Sequence, residues 1–155
     1  MKISFTKRRN EMWYVKKFAE LTTQELFLIY KARGAVFIEE QQIVENDIDE
    51  QDLTAIHVFE IQADAVVAYA RVFQMDQHVT FGRVLTSAAV RGTGKGKALL
   101  NELFSVIKHD FKGLPIEIDA QVHAIGYYEK SGFQVTSAPF LEAGVSHVKM
   151  THPSF

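Results

Sequence analysis

Residue types suited to holding a phosphate stand together in Arg91-Gly92-Thr93-Gly94-Lys95-Gly96, with Lys97 directly after. Glycine lets backbone amides approach a ligand closely. A helix start adds unpaired N–H groups and the positive end of the helix dipole. The flanking residues predict that setting. Phe81, Val84, Leu85 and Val90 precede the glycines in a branched and aromatic run that reads as a strand. Leu99, Leu100, Leu103, Phe104, Val106 and Ile107 follow at three- and four-residue spacing, one face of a helix. A glycine turn between strand and helix is a pyrophosphate cradle, and Arg91, Lys95 and Lys97 add positive charge around it. Two other phosphate loops are excluded by spacing. A Walker loop needs a hydroxyl after Gly-Lys, where Ala98 stands, and Gly92-x-Gly94-x-Gly96 lacks the Gly-x-Gly-x-x-Gly spacing of a dinucleotide turn.

Charged and titratable residues elsewhere narrow the chemistry. Seven acids (Glu39, Glu40, Glu45, Asp47, Asp49, Glu50 and Asp52) fall within fourteen residues that contain no lysine or arginine. A solvated loop accounts for most of them, and the stretch lacks the glycine and terminal spacing of an EF-hand. No two histidines stand four residues apart, so a helical zinc site is not expected, and no metal is assigned. The absence of cysteine excludes a thiol nucleophile, a thiolate metal site and a disulfide framework.

The elements that must carry these residues follow from the pattern. Trp13–Phe18 reads as a first strand, and Thr22-Thr23-Gln24-Glu25 as a capping box opening a helix that runs to about Phe37. Ile56–Gln62 and Ala65–Phe73 predict two strands around an Ala63-Asp64 turn, and a break at Gln74–Gln77 leads into the strand before the glycines. Gly113-Leu114-Pro115 ends the long helix, Ile116–Ala120 alternates like a strand, and Ala124–Lys130 is a short helix stopped by Gly132. Strands at Phe133–Val135 and Val145–Met150 complete one α+β domain, residues 1–155, around a mixed sheet.

Bulk properties set limits. A length of 155 residues with 47% apolar and 23% charged content suits one soluble domain with a sizeable core. A net charge of −2 argues against a nucleic-acid partner, and no apolar run is long enough for a membrane span. Met1 to Arg9 lacks the apolar core of a signal peptide, which makes a cytoplasmic location the expectation.

Two elements together carry a family resemblance. Arg91-x-x-Gly94-x-Gly96 resembles the acetyl-CoA signature of the GNAT superfamily of N-acetyltransferases, and Tyr128-Glu129-Lys130-Ser131-Gly132-Phe133 resembles its Tyr-x-x-x-Gly-Phe element. Within that superfamily the chain is similar to small bacterial ElaA-like proteins. That likeness rests on Val36-Phe37-Ile38-Glu39-Glu40-Gln41, the Asp49/Asp52 pair with His57, Phe81-Gly82-Arg83-Val84, Ala120-Gln121-Val122-His123 and Glu142-Ala143-Gly144-Val145-Ser146-His147. The resemblance implies a mostly antiparallel mixed sheet of about six or seven strands flanked by helices, splayed between strands four and five, where pantetheine lies.

It also implies roles. The turn Arg91 to Gly96, with Lys97, binds the pyrophosphate of acetyl-CoA, and Val84, Leu85 and Thr86 pair with the pantetheine arm as an added strand would. One of those amides faces the thioester carbonyl and its developing oxyanion. Gln121 stands where the superfamily often has a cofactor-binding asparagine, Ala88 where it often has proline, and Tyr128 protonates the departing thiolate. The implied acceptor is an amine, whose pKa of about 10.4 calls for a base or a desolvating pocket. Base candidates are Glu39, Glu40, His57, Asp119, His123 and His147. Glu40 and His123 are assigned to catalysis, and Glu39, Glu40, His57 and His147 to the acceptor side. The acidic stretch suits a cationic amine of a small molecule or peptide. The expected reaction is acetyl transfer by direct attack in a ternary complex, and a homodimer is in keeping with the superfamily. The alternative is a CoA-binding regulatory module without turnover; a longer acyl group is a third reading.

Overall fold

Strand β4 (His78–Thr86) is where two halves of one sheet meet. The computed structural model describes residues 12–155, so the expectation for Met1 to Arg9 lies outside the described residues. On one side of β4, β1 (Met12–Lys17), β2 (Ile56–Gln62) and β3 (Ala65–Met75) form an antiparallel meander. On the other, β5 (Ile116–Gln121) pairs with β8 (Val145–His152), whose far edge carries β6 (Gln134–Val135) and β7 (Phe140–Glu142). The mixed sheet therefore has eight strands in the described residues, with one parallel pair, β4 with β5. That pair registers only at Val79↔Ile116, so the two strands splay toward their C-terminal ends as the resemblance implied.

Two helical layers cover the sheet. α3 (Lys95–Asp110) buries Leu99, Leu100, Leu103, Val106 and Ile107 against Val58, Ala70, Val72, Val79 and Phe81. Each such side chain contributes about 1.5–3 kcal/mol when removed from water. The opposite face packs Phe59, Tyr69 and Leu85 under Ile29, Val36 and Phe37. These come from α1 (Thr23–Arg33) and the wide π-helical turn Gly34–Glu40 that continues it. The expected capping box forms: Thr22 Oγ1 accepts from the Glu25 amide at 3.0 Å, and Glu25 Oε1 accepts from the Thr22 amide at 2.8 Å. The π turn was not anticipated. It holds Val36 and Phe37 in the core and leaves Glu39 and Glu40 exposed at its end. Such turns change the phase of a helix and recur at functional sites.

A β-bulge in β4 governs the site. Arg71 pairs with Gly82 and Tyr69 with Leu85, so the single residue Ala70 faces two, Arg83 and Val84. Arg83 has φ 51°, a left-handed conformation that costs a non-glycine residue about 1–2 kcal/mol. The extra residue shifts the strand's alternation. Val79, Phe81 and Val84 contact the α3 side, and Leu85 contacts the α1 side.

Short elements complete the chain: α2 (Gln51–Thr54), α4 (Ile125–Glu129) and 3-10 turns at Phe18–Glu20, Ala88–Val90 and Val122–Ala124. β7 is the strand the sequence did not signal. Its three residues lack a readable alternation, and their order comes from pairing Phe140 with His147 and Glu142 with Val145.

Candidate active site

Where β4 and β5 part, a cleft of about 420 Å³ opens. One bank is Val84, Leu85 and Thr86 of β4, continued by Arg91, Gly96 and Leu99. The other bank is His123 and Tyr127, and one end is closed by Val36 and Glu40 of the π turn with Gln41 directly after it. Because β5 pairs with β4 only at Val79, the cleft-facing edge of β4 past that point has no ladder partner. That edge is a template for an extended ligand.

The glycine turn borders this cleft. Gly92 and Gly94 have φ 78° and 83°, and a Cβ on either would meet no heavy atom within 4 Å. Their open side leaves room for a bulky anion against the start of α3, whose N-cap is Gly94. Gly96 has a different constraint: a Cβ there would come within 3.3 Å of the Tyr127 ring. The Tyr127 hydroxyl donates to the Gly96 carbonyl, so the close approach ties α4 to the turn. The Thr93 hydroxyl donates to the Val90 carbonyl.

The charges expected around the turn are not all directed at it. Lys97 is exposed, whereas the Lys95 side chain is buried with its ammonium 2.9 and 2.8 Å from the two carboxylate oxygens of Glu60. Side chains at a helix start lean toward the preceding backbone, here toward β2. Lys95 thus brings an amide to the turn while its charge pins α3 to the sheet. Arg91 spans the cleft mouth. Its Nε and Nη2 donate to the Thr86 carbonyl at 3.1 and 2.9 Å, and Nη1 lies 2.7 Å from Glu40 Oε2. Gln121 reaches the end of the same π turn from β5, its Nε2 donating to Oε1 of the capping Gln41 at 3.1 Å.

Two adjacent tyrosines face different surroundings. Tyr128 is 6% exposed, with its ring 6.1 Å from Phe81 and 5.6 Å from Phe133. Its hydroxyl makes no hydrogen bond among the described residues. Burial raises its pKa strongly, so the phenol stays protonated. Tyr127 lines the cleft, and burial pushes its pKa up to about 12. The Tyr-x-x-x-Gly-Phe element points to Tyr128 for the chemistry, while Tyr127 is the tyrosine of the cleft wall.

The remaining candidates separate. Glu40 and His123 face the cleft, and His123 is exposed with no hydrogen bond or ion pair among the described residues. Glu39 is exposed outside the cleft wall, and Asp119 is held by Lys149 at 3.2 Å. His147 stacks on Phe140 and bonds through Nδ1 to the Val145 carbonyl at 2.7 Å, beside Gln121 in register. His57 is fully buried between elements. The Tyr69 hydroxyl donates to its Nδ1 at 2.7 Å, and its Nε2–H donates to the Asp52 carbonyl at 2.8 Å. Burial lowers its pKa, which keeps the ring neutral.

The acidic stretch departs most from expectation. Asp47, Asp49 and Asp52 are tied to Arg33, Arg71 and Arg83 instead of standing open to a cation. Arg33 is fully buried, with Asp52 Oδ1 at 2.7 Å and Asp47 Oδ2 at 2.9 Å. Burial pushes the Asp52 carboxyl up, but Arg33 and Arg71 outweigh it and hold its pKa below the usual range. The Arg71 hydrogen bond does the same for Asp49. One signal in the sequence marks this cluster: Arg71 interrupts the apolar run Val66–Val72, and Arg33 continues the core stripe of Ile29. Arginines at such positions need buried acids.

Comparison with known proteins gives the family. Residues 19–153 match the family described as Acetyltransferase (GNAT) domain. Protein ElaA of Escherichia coli K12 is 32% identical over 143 residues, covering 89% of this chain and 94% of that one. Its crystal structure superposes with a TM-score of 0.86 at 31% identity, over 92% of this chain and 99% of that one. An acyl-CoA N-acyltransferase from Pseudomonas aeruginosa gives 0.87 at 28% identity over the same shares. A GNAT family acetyltransferase from Elizabethkingia anophelis, solved with acetyl-CoA bound, gives 0.59 at 14% identity over 94% and 99%, a likeness of fold. With its splayed sheet, glycine turn and near-complete coverage, the chain belongs to the GNAT acetyltransferase family, in its ElaA-like group.

Proposed function

We propose that this protein is an acetyl-CoA-dependent N-acetyltransferase that acetylates a primary amine of a small molecule or protein by direct attack in a ternary complex. The observation that carries the reading is the unpaired edge of β4, followed after one 3-10 turn by the glycine turn, in one cleft with Glu40, His123 and Tyr127. The residues fit the cosubstrate: open space beside Gly92 and Gly94 suits its pyrophosphate, and Val84–Thr86 offers backbone groups to its pantetheine. The Elizabethkingia neighbour, which holds acetyl-CoA, adds support at the level of fold.

In this reading the cosubstrate supplies an activated acetyl group, and the chain supplies position, proton transfer and charge stabilisation. Amides of Arg91 through Gly96 hold the pyrophosphate, with Lys97 adding charge and Gln121 an amide contact. An amide of Val84–Thr86 donates to the thioester oxygen where negative charge develops. Glu40 and His123 take the proton that the acceptor ammonium must lose, and Tyr128 donates its protonated O–H to the departing thiolate. Glu39 faces solvent beside Glu40, where it attracts a cationic acceptor. His57 and His147 shape the acceptor side from within the fold.

The test is release of free CoA thiol from acetyl-CoA in the presence of a panel of amines, including polyamines, amino acids, aminoglycosides and lysine peptides. Amine-dependent release with stoichiometric N-acetyl product supports the proposal. Cosubstrate binding with no release across the panel favours a CoA-binding module.

A further inference from the structure

Arg83 occupies the left-handed position of the β4 bulge, directly before the strand segment that lines the cleft. Its own side chain does not line the cleft and turns to the acidic loop. Nε lies 3.1 Å from Asp47 Oδ1, and Nη2 lies 3.1 Å from the Asp47 carbonyl and 3.5 Å from Asp49 Oδ2. Both aspartates are themselves anchored: Asp47 to the fully buried Arg33, and Asp49 to Arg71 through both carboxylate oxygens. A chain of alternating charge therefore runs from the core to the one strained residue of β4.

A residue with a Cβ resists positive φ, and the alternative is an unbulged, extended strand. Removing the bulge would slip β4 by one residue and turn Val84, Leu85 and Thr86 to opposite faces. Their backbone groups would turn with them.

We propose that Arg83 is a positioning residue for acyl transfer. Clamped by Asp47 and Asp49, it selects the bulged register that aims the backbone of Val84–Thr86 into the cleft. This rests on the acetyltransferase reading for its consequence, the alignment of an amide with the thioester oxygen. It accounts for aspartates that would otherwise be surplus acids in a surface loop, and for an arginine at a position that favours glycine.

The test compares Arg83→Ala with Arg83→Gly. Glycine takes positive φ freely, so it keeps the bulge without the clamp; alanine has neither advantage. The readout is the infrared carbonyl band of bound acetyl-CoA carrying ¹³C at the acetyl carbonyl, which reports hydrogen bonding to that oxygen. In Arg83→Ala the band is expected to move to higher frequency and broaden relative to wild type. In Arg83→Gly it should stay at the wild-type position with acetyl-CoA affinity within about threefold of wild type, whereas Arg83→Ala should also bind more weakly because the same Val84–Thr86 groups pair with pantetheine, so all bands are read at saturating acetyl-CoA. An unchanged band in Arg83→Ala overturns the proposal, and so does an equal displacement in Arg83→Gly.

If Arg83→Ala does not fold, Asp49→Asn removes one charge of the clamp and should displace the band in the same direction; no displacement refutes the clamp. The bulge can also be read without ligand, from the intraresidue nuclear Overhauser effect between the amide and Cα protons of residue 83. At positive φ those two protons are close and the effect is strong, whereas in an extended strand it is weaker. A strong effect retained in Arg83→Ala contradicts the proposal even if acetyl-CoA does not bind, whereas failure of wild type to bind acetyl-CoA refutes the acetyltransferase reading.

Discussion

Glu40 and Arg91 meet across the mouth of the cleft, with Glu40 Oε2 2.7 Å from Arg91 Nη1, while the same guanidinium holds the Thr86 carbonyl. Both side chains are roughly two-fifths exposed, 39% and 44%, so their attraction is screened and worth at most about 1 kcal/mol. The pair is weak enough to open, and in the proposed ternary complex it sits where acceptor and cosubstrate would meet.

Glu40→Gln is accordingly expected to separate stability from turnover. The melting temperature should fall by no more than about 2–4 °C, the equivalent of ~1 kcal/mol in a domain of this size. Amine-dependent CoA release should fall by about 100-fold or more, the usual loss when a general base is removed. A turnover loss below threefold would remove Glu40 from the chemistry and leave His123 as the base candidate.

The two tyrosines should respond differently. Tyr128→Phe removes an unpartnered hydroxyl from an aromatic cage, so packing survives while kcat falls by about 100-fold. Tyr127→Phe removes the hydrogen bond to Gly96, costing about 1 kcal/mol of stability with kcat changed only a few-fold. Steady-state rates and thermal melts of both variants decide the assignment; the reverse pattern would give the acid role to Tyr127.

Much of this architecture is legible in the sequence. The capping box at Thr22, the α3 stripe and the glycine turn were readable because each depends on residues close in sequence. The β4/β5 splay followed from the family resemblance. What escaped depends on distant partners. The bulge at Arg83 arises from register with Ala70, and the acidic stretch looked solvated because its three arginines lie on α1, β3 and β4. The direction of Lys95 was hidden for the same reason, since Glu60 is thirty-five residues away.

Asp52 joins the two buried guanidiniums, Arg33 at 2.7 Å and Arg71 at 2.9 Å. Asp52→Asn keeps the volume and removes the charge, leaving both arginines undercompensated. The expected loss is about 3 kcal/mol, the lower end for a broken buried pair, because Arg33 retains Asp47 and Arg71 retains Asp49. Denaturant unfolding at neutral pH measures it; a loss below 1 kcal/mol would contradict the network's role in holding the loop.

His57 predicts a pH dependence. Its folded pKa is depressed from 6.5 because burial disfavours the charged ring. The unfolded chain therefore binds a proton that the folded chain refuses. The contribution of His57 to stability is present above about pH 6.5 and is lost as pH falls toward the lower folded value. In His57→Gln the decline of unfolding free energy from pH 7 to pH 5 should be shallower than in wild type. An identical slope would show that His57 does not titrate differently on folding.

The most direct test of the acetyltransferase reading is thermal unfolding with and without acetyl-CoA. At about 100 times its dissociation constant, a ligand specific for the folded state adds ~2.7 kcal/mol, a rise of roughly 5–10 °C for a domain of this size. The account predicts that rise, and a smaller one in Arg91→Glu, where the charge beside the phosphate turn is reversed. No shift at millimolar acetyl-CoA would contradict it.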